Sequence, residues 1–166
     1  MRRDFVVLIL SLDISGAYNN IPHKRLLHIL RAKGFPEWII QFVQGFTGQK
    51  ETSLVFSGYQ SPPITVATGI PQGSPLSPIL FLFFVSNLLN SFEEGATQGI
   101  GFVDDTNLIT YGPTAAENCR TLEKAHNTCI EWARRHGVQF SPEKYQLIYF
   151  TRKRNQSADL QHTIRI

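Results

Sequence analysis

Apolar and polar positions along the chain fall into blocks with two different periods. Phe5 to Leu12 is apolar almost throughout and rich in branched residues, the pattern of a central strand covered on both faces. It ends at Asp13, which places a carboxylate at the mouth of a strand. Ser15 and Gly16 turn the chain. Pro22 then suits the first turn of a helix reaching about Lys33, with Leu26, Leu27, Ile29 and Leu30 as its apolar side. Gly34 stops that helix, and Pro36 opens a second one to about Phe46, with Gly45 and Gly48 at its end. Thr52 to Phe56 and Ile64 to Ala67 read as the strands of a hairpin whose connection, Ser57 to Pro63, is a loose loop.

Two glycines and three prolines between Thr68 and Pro78 fix an irregular loop. Ser74 before Pro75, or Ser77 before Pro78, supplies a helix cap. The helix that follows, to about Asn90, is apolar nearly all round and is expected to be buried. Gly99 to Val103 and Asn107 to Tyr111 are short strands, with Asp104, Asp105 and Thr106 as the turn between them. Thr114 caps a long helix to about His136, Gly137 ends it, and Leu147 to Phe150 is a last strand. Runs mixed in this way predict an α+β fold, with helices packed on one face of a largely antiparallel sheet. One domain is expected over residues 1–151, followed by a basic, frayed tail from 152 to 166.

Composition narrows the class. Hydrophobic residues at 42% and charged residues at 17% describe a folding chain rather than a disordered one. The net charge of +3 says less than its distribution. No Lys or Arg stands between Lys50 and Arg120, a stretch that holds Glu51, Glu93, Glu94, Asp104 and Asp105, and the bases lie towards the two ends. Such a layout suits cations at the centre and phosphates at the margins. Cys119 and Cys129 stand ten residues apart on one predicted helix, roughly 15 Å, beyond the reach of a disulfide. Reduced thiols in an intracellular, nuclear or cytoplasmic protein are expected. Glu123 and His126 have metal-ligand spacing without a second such pair, which reads as helix surface. The basic start, Arg2 and Arg3, is interrupted by Asp4 and lacks a cleavage signal. The apolar run Ile79 to Val85 is too short to span a membrane.

The chemistry centres on carboxylates. Asp104 and Asp105 follow one apolar strand and Asp13 another. If those strands are sheet neighbours, three carboxylates converge at one edge and repel one another unless a cation sits among them. Oxygen ligands of this kind suit Mg²⁺, which can bridge carboxylates to phosphates. As a turn, the aspartate pair alone would be unremarkable.

Four segments carry a resemblance. Leu12-Asp13-Ile14-Ser15-Gly16-Ala17-Tyr18-Asn19-Asn20, Gly69-Ile70-Pro71-Gln72-Gly73-Ser74-Pro75-Leu76-Ser77-Pro78, Phe102-Val103-Asp104-Asp105, and Trp132 through Gly137 to Lys144 resemble, in order and spacing, the palm motifs of reverse transcriptases. The likeness covers about residues 5 to 151 and is nearest to the non-LTR, LINE-like retrotransposon type. It implies a polymerase palm with a ferredoxin-like core and RNA-directed DNA polymerase activity, a nucleotidyl transfer. It implies two Mg²⁺ ions, or Mn²⁺ in their place, with Asp13 and Asp104 as principal ligands, the Ile14 carbonyl adding one oxygen and Asp105 binding more weakly. Tyr18 resembles the aromatic gate under the sugar. Gln72 and Gly73 would shape the nucleotide pocket, within a loop whose Gly69, Pro71 and Ser74 would lie along the nucleic acid. Lys144 resembles a lysine that protonates leaving pyrophosphate. The partners implied are an RNA template, a DNA primer and deoxynucleoside triphosphates, with no membrane.

Asn19 stands where relatives carry a second aspartate, Val103 where alanine is commoner, and Tyr145 where threonine is usual. Fingers before the first motif and a thumb after the last are expected to be largely absent from 166 residues, so weak or no activity is expected of this chain alone. The competing readings are a non-catalytic retrotransposon remnant that binds RNA or a protein, and the palm of a group II intron maturase.

Overall fold

The computed structural model describes residues 5–48, 50–93, 95–102, 105–151 and 162–166. The chain divides into two compact units, one of Met1–Ser15 with Val85–Ile166, the other of Gly16–Phe84.

The first unit is built on an antiparallel sheet. Strand β1 (Val6–Asp13) lies between β7 (Asp105–Gly112) and β8 (Gln146–Thr151), and β6 (Thr97–Phe102) pairs with the outer side of β7. Helix α4 (Ala115–His136) packs against β7 and β1. Buried positions on β1 alternate, with Val6, Leu8, Leu10 and Leu12 covered and Val7, Ile9, Ser11 and Asp13 half-open. The sequence led to a strand covered on both faces. Among the described residues of this unit one face is the more open, because the apolar residues of β1 serve two surfaces and α4 packs on one of them. Gly99 and Gly101 lie on the covered face, where a Cβ would come within 3 Å of Phe92 or Leu89 side-chain atoms. Their small size admits the end of the helix that precedes the strand.

Helix α4 follows the predicted bounds. The Thr114 hydroxyl accepts from the Glu117 N–H, and Gly137 ends the helix in the left-handed region at φ 71°. Cys119 and Cys129 are buried, free thiols. Burial pushes the Cys129 thiol up to about 12. His126 is buried, with Nε2 3.2 Å from the Tyr145 hydroxyl, and burial holds its ring below the ordinary value of 6.5. The unfolded chain therefore takes up this proton at a higher pH than the folded chain. Stability is expected to fall as pH drops below about 6.5 and to level off once folded His126 protonates. Urea midpoints between pH 7.5 and 5 measure the effect. His126→Gln should flatten that part of the profile, and an unchanged slope would remove His126 as its source.

The second unit holds α1 (His23–Ala32), α2 (Glu37–Thr47), the short strands β2 (Lys50–Thr52), β3 (Val55–Phe56), β4 (Tyr59–Gln60) and β5 (Ile64–Val66), and the start of α3 (Leu76–Asn90). Leu26, Leu27, Ile29 and Leu30 bury the inner side of α1, which packs on α2. Strand β2 pairs with β5 and β3 with β4. The expected loose loop is instead a tight turn at Ser57 and Gly58, both with positive φ (45° and 83°), the geometry that two-residue hairpins need. Ile79 and Leu82 leave one stripe of α3 exposed, at 50% and 44%, so α3 is not buried all round. Among the described residues no helix is long and apolar enough to cross a membrane.

Candidate active site

The open face of the first unit's sheet is ordered in rows. Val7 stands between Tyr111 and Phe150, Ile9 between Ile109 and Ile148, and Ser11 between Asn107 and Gln146. Asp13 stands opposite Asp105 in the last row. Chemistry therefore changes along the strands from aromatic and aliphatic, through neutral polar, to anionic. The two carboxylates meet because β1 and β7 are neighbours in a register that pairs their ends. Asp105 and Thr106 were expected in the turn, but both belong to β7, and Phe102 pairs directly with Asp105. Val103 and Asp104 lie outside the described residues.

Lys144 enters the same cleft from a short 3₁₀ turn, Pro142–Lys144. Its Nζ lies 2.9 Å from Asp13 Oδ2. The turn is tied to the end of β1 by backbone bonds: the Ser141 N–H donates to the Asp13 carbonyl at 2.9 Å and the Ser15 N–H to the Gln139 carbonyl at 2.8 Å. These bonds flank a bridge between Ile14 and Phe140 and leave the Ile14 carbonyl out of it. Ser11, Leu12, Asp13, Asp105, Asn107, Lys144 and Gln146 line a cleft of about 440 Å³. The Ser11 hydroxyl donates to Asn107 Oδ1 at 2.6 Å.

Three of these residues were missed in the sequence. Ser11 stands two before Asp13, Asn107 two after Asp105, and Gln146 pairs with Ser11. The signal was the strand period of two, which puts Ser11 and Asn107 on the faces of the aspartates. As donors for a cation, the carboxylates of Asp13 and Asp105 and the amide oxygens of Asn107 and Gln146 are hard oxygens, which fit Mg²⁺ and not a thiolate-loving metal. No group of three or more His, Cys, Asp or Glu at ligand spacing occurs among the described residues. The side chains of Glu123 and His126 turn to different partners. His126 faces Tyr145, and Glu123 Oε1 accepts from the Arg165 N–H.

A second cluster forms within the other unit. The Tyr18 ring packs against Phe81, with centroids 5.6 Å apart. The Ile70 N–H donates to the Tyr18 carbonyl at 2.7 Å, and Gln72 Nε2 donates to Asn19 Oδ1 at 3.3 Å. Gly69 sits at φ 88°, and a Cβ there would lie 2.9 Å from the Asn19 carbonyl oxygen. Only glycine lets these two backbones approach so closely. His23 Nε2 donates to the Gly69 carbonyl. Ser74 Oγ accepts from the Leu76 N–H, and Ser77 Oγ donates to the Pro71 carbonyl, which fixes the entry to α3. Gly73, at φ 85°, faces open space. Of the loop residues singled out in the sequence, Gly69 and Gln72 meet Asn19, Pro71 and Ser74 fix the entry to α3, and Gly73 touches neither. Asp13, Asp105 and Lys144 form the other group.

The sequence profile of a family described as "Reverse transcriptase (RNA-dependent DNA polymerase)" matches residues 4–163. The chain is 36% identical over 114 residues to the Pol polyprotein of the type-2 retrotransposable element R2DM of Drosophila melanogaster, covering 64% of this chain and 11% of that protein. It is 28% identical to the Pol polyprotein of a type-1 retrotransposable element R2 of Popillia japonica (82% and 23% covered). It is 26% identical to the RNA-directed DNA polymerase from mobile element jockey of Drosophila melanogaster (86% and 16%). The chain thus spans less than a quarter of the length of these relatives. In fold it is similar to the apo telomerase of Candida tropicalis, with a TM-score of 0.61 at 16% identity over 87% of this chain and 31% of that one. The α+β architecture is that of a polymerase palm.

Proposed function

Because the chain belongs to the reverse transcriptase (RNA-dependent DNA polymerase) family, we propose that it supplies the palm of an RNA-directed DNA polymerase that adds deoxynucleotides to a primer 3′-hydroxyl. The observation that carries this reading is the pairing of Asp13 with Asp105 at the anionic end of the open sheet face.

Asp13 and Asp104 are assigned as principal Mg²⁺ ligands, with Asp105 weaker and the Ile14 carbonyl as an added oxygen. Held there, divalent cations would supply a lowered pKa for the attacking hydroxyl and neutralisation of charge on the departing phosphate. Every other part of the task falls to the chain. The Tyr18 ring, braced by Phe81, excludes a ribose 2′-hydroxyl by its bulk. Gln72 and Gly73 shape the nucleotide pocket, and Gly69, Pro71 and Ser74 hold the loop against the nucleic acid. Lys144 offers a proton to the pyrophosphate. An RNA template and DNA primer lie across the palm, held by phosphate contacts that weaken with salt.

The test is primer extension on an RNA template by the chain within a protein of its relatives' length. Mg²⁺-dependent extension is expected, and Asp104→Asn should remove it. Equal extension by both proteins overturns the reading. Salt-dependent RNA binding that survives neutralisation of all three aspartates, with no extension by the parent, would favour a binding remnant instead.

A further inference from the structure

Lys144 is joined to the site by more than its ammonium. The bonds from Ser141 to Asp13 and from Ser15 to Gln139 fix the turn against the strand end, and the Lys144 N–H closes that turn on the Ser141 carbonyl at 3.0 Å. The origin of the lysine stem is thereby set relative to the Asp13 carboxylate. The two charges meet at 2.9 Å, with the Asp13 side chain 20% exposed and that of Lys144 58% exposed. Asp13 is the more covered partner and Lys144 the more exposed, so the lysine stem can turn towards water. A lysine ammonium is a compact, strongly hydrated point charge on a flexible stem, and so a close stand-in for a small cation. It cannot remain at 2.9 Å from a carboxylate that also ligates a divalent ion without strong repulsion between the two cations.

We propose that Lys144 is a tethered counter-cation, which neutralises Asp13 in the metal-free site and is displaced when a divalent cation binds, so that metal affinity is set by competition within the chain. The proposal rests on the reading of Asp13 as a metal ligand. It assigns Lys144 a positioning role before any chemistry. It also accounts for how the Asp13 carboxylate, opposite Asp105, is kept paired until a metal arrives. The expected behaviour is ion exchange: the cation enters as the ammonium swings out.

The experiment is Mn²⁺ titration of the full 166-residue chain, followed by the electron paramagnetic resonance of free Mn²⁺, alongside the shift in melting temperature produced by Mg²⁺. Lys144→Met keeps the stem and removes the charge. It should bind Mn²⁺ about tenfold more tightly than the parent, and gain a larger Mg²⁺-induced rise in melting temperature from a lower metal-free starting point. Lys144→Gln should behave alike, which guards against misfolding of either variant, and near-ultraviolet circular dichroism checks that both fold. Lys144→Arg, which keeps the charge, should stay near the parent. Asp13→Asn should lose most of the binding. If Asp13→Asn loses binding while Lys144→Met and Lys144→Gln bind no tighter than the parent, the exchange is refuted and the metal-ligand reading stands. If Asp13→Asn binds as the parent does, the metal-ligand reading fails, and the exchange with it.

Discussion

Asp13→Asn is expected to lower Mg²⁺-dependent primer extension by about 10³-fold or more in a protein of the relatives' length, comparable to deleting a principal electrostatic contact of a transition state. The substitution is nearly isosteric. The backbone carbonyl of Asp13, which accepts from Ser141, is untouched, so the end of β1 should keep its place. What is lost is one full negative charge at the edge of the sheet, and with it the ion pair to Lys144. Asp105→Asn should cost much less, roughly ten- to a hundredfold, as for a group that supports the principal ligands. Asp105 is the more exposed of the two, at the outer corner beside Phe102. Steady-state extension rates at saturating nucleotide, with circular dichroism of each variant, give the comparison. If Asp105→Asn proves the more damaging, the assignment of principal and secondary ligands is reversed.

Leu8→Ala carries the largest expected loss of stability. Leu8 is fully buried in β1 and stands opposite both Thr110 and Tyr149. Truncation removes buried methylenes and leaves a cavity that a strand paired on both sides closes poorly, at a cost of about 3 kcal/mol. That is a large share of the roughly 5–15 kcal/mol that holds a domain folded. Ile9→Ala, one residue on and facing the open side, should cost only about 1 kcal/mol. Urea unfolding followed by circular dichroism measures both. Equal costs would mean that both faces of β1 are covered, contrary to the alternation described above.

The extent of what could be read from the sequence follows from where the signals are local. The bounds of α4 were legible because Thr114, Glu117 and Gly137 are neighbours of the ends they fix. Strand β1 was legible as a strand, but its one-sided covering was not, since an unbroken apolar run does not say which face the helices take. The hairpin turn was hidden because Ser57-Gly58 was absorbed into a longer polar stretch, although glycine with a small polar partner is what such a turn demands. Asp105 was read as a turn residue because aspartate favours turns. The pairing Phe102 with Asp105 is a fact of register, which single residues do not encode. The meeting of Asp13 with Asp105 was legible as a possibility, since each follows an apolar strand. The Ser11, Asn107 and Gln146 band was recoverable from period two. The ion pair of Lys144 with Asp13 was not, for it joins residues with no shared local pattern.

That last distance has a consequence for how the protein is made. β1 is made well before its partners β7 and β8, with Val6 opposite Gly112 on one side and Thr151 on the other. Until β7 is made, the most apolar strand of the sheet has neither neighbour. Pairing this remote is slow, since a long loop must close before any contact rewards it. A nascent chain stalled before β7 would present β1 as a sticky, unsatisfied edge. Residues 6–13 are therefore the part of this sheet most prone to wrong pairing during translation.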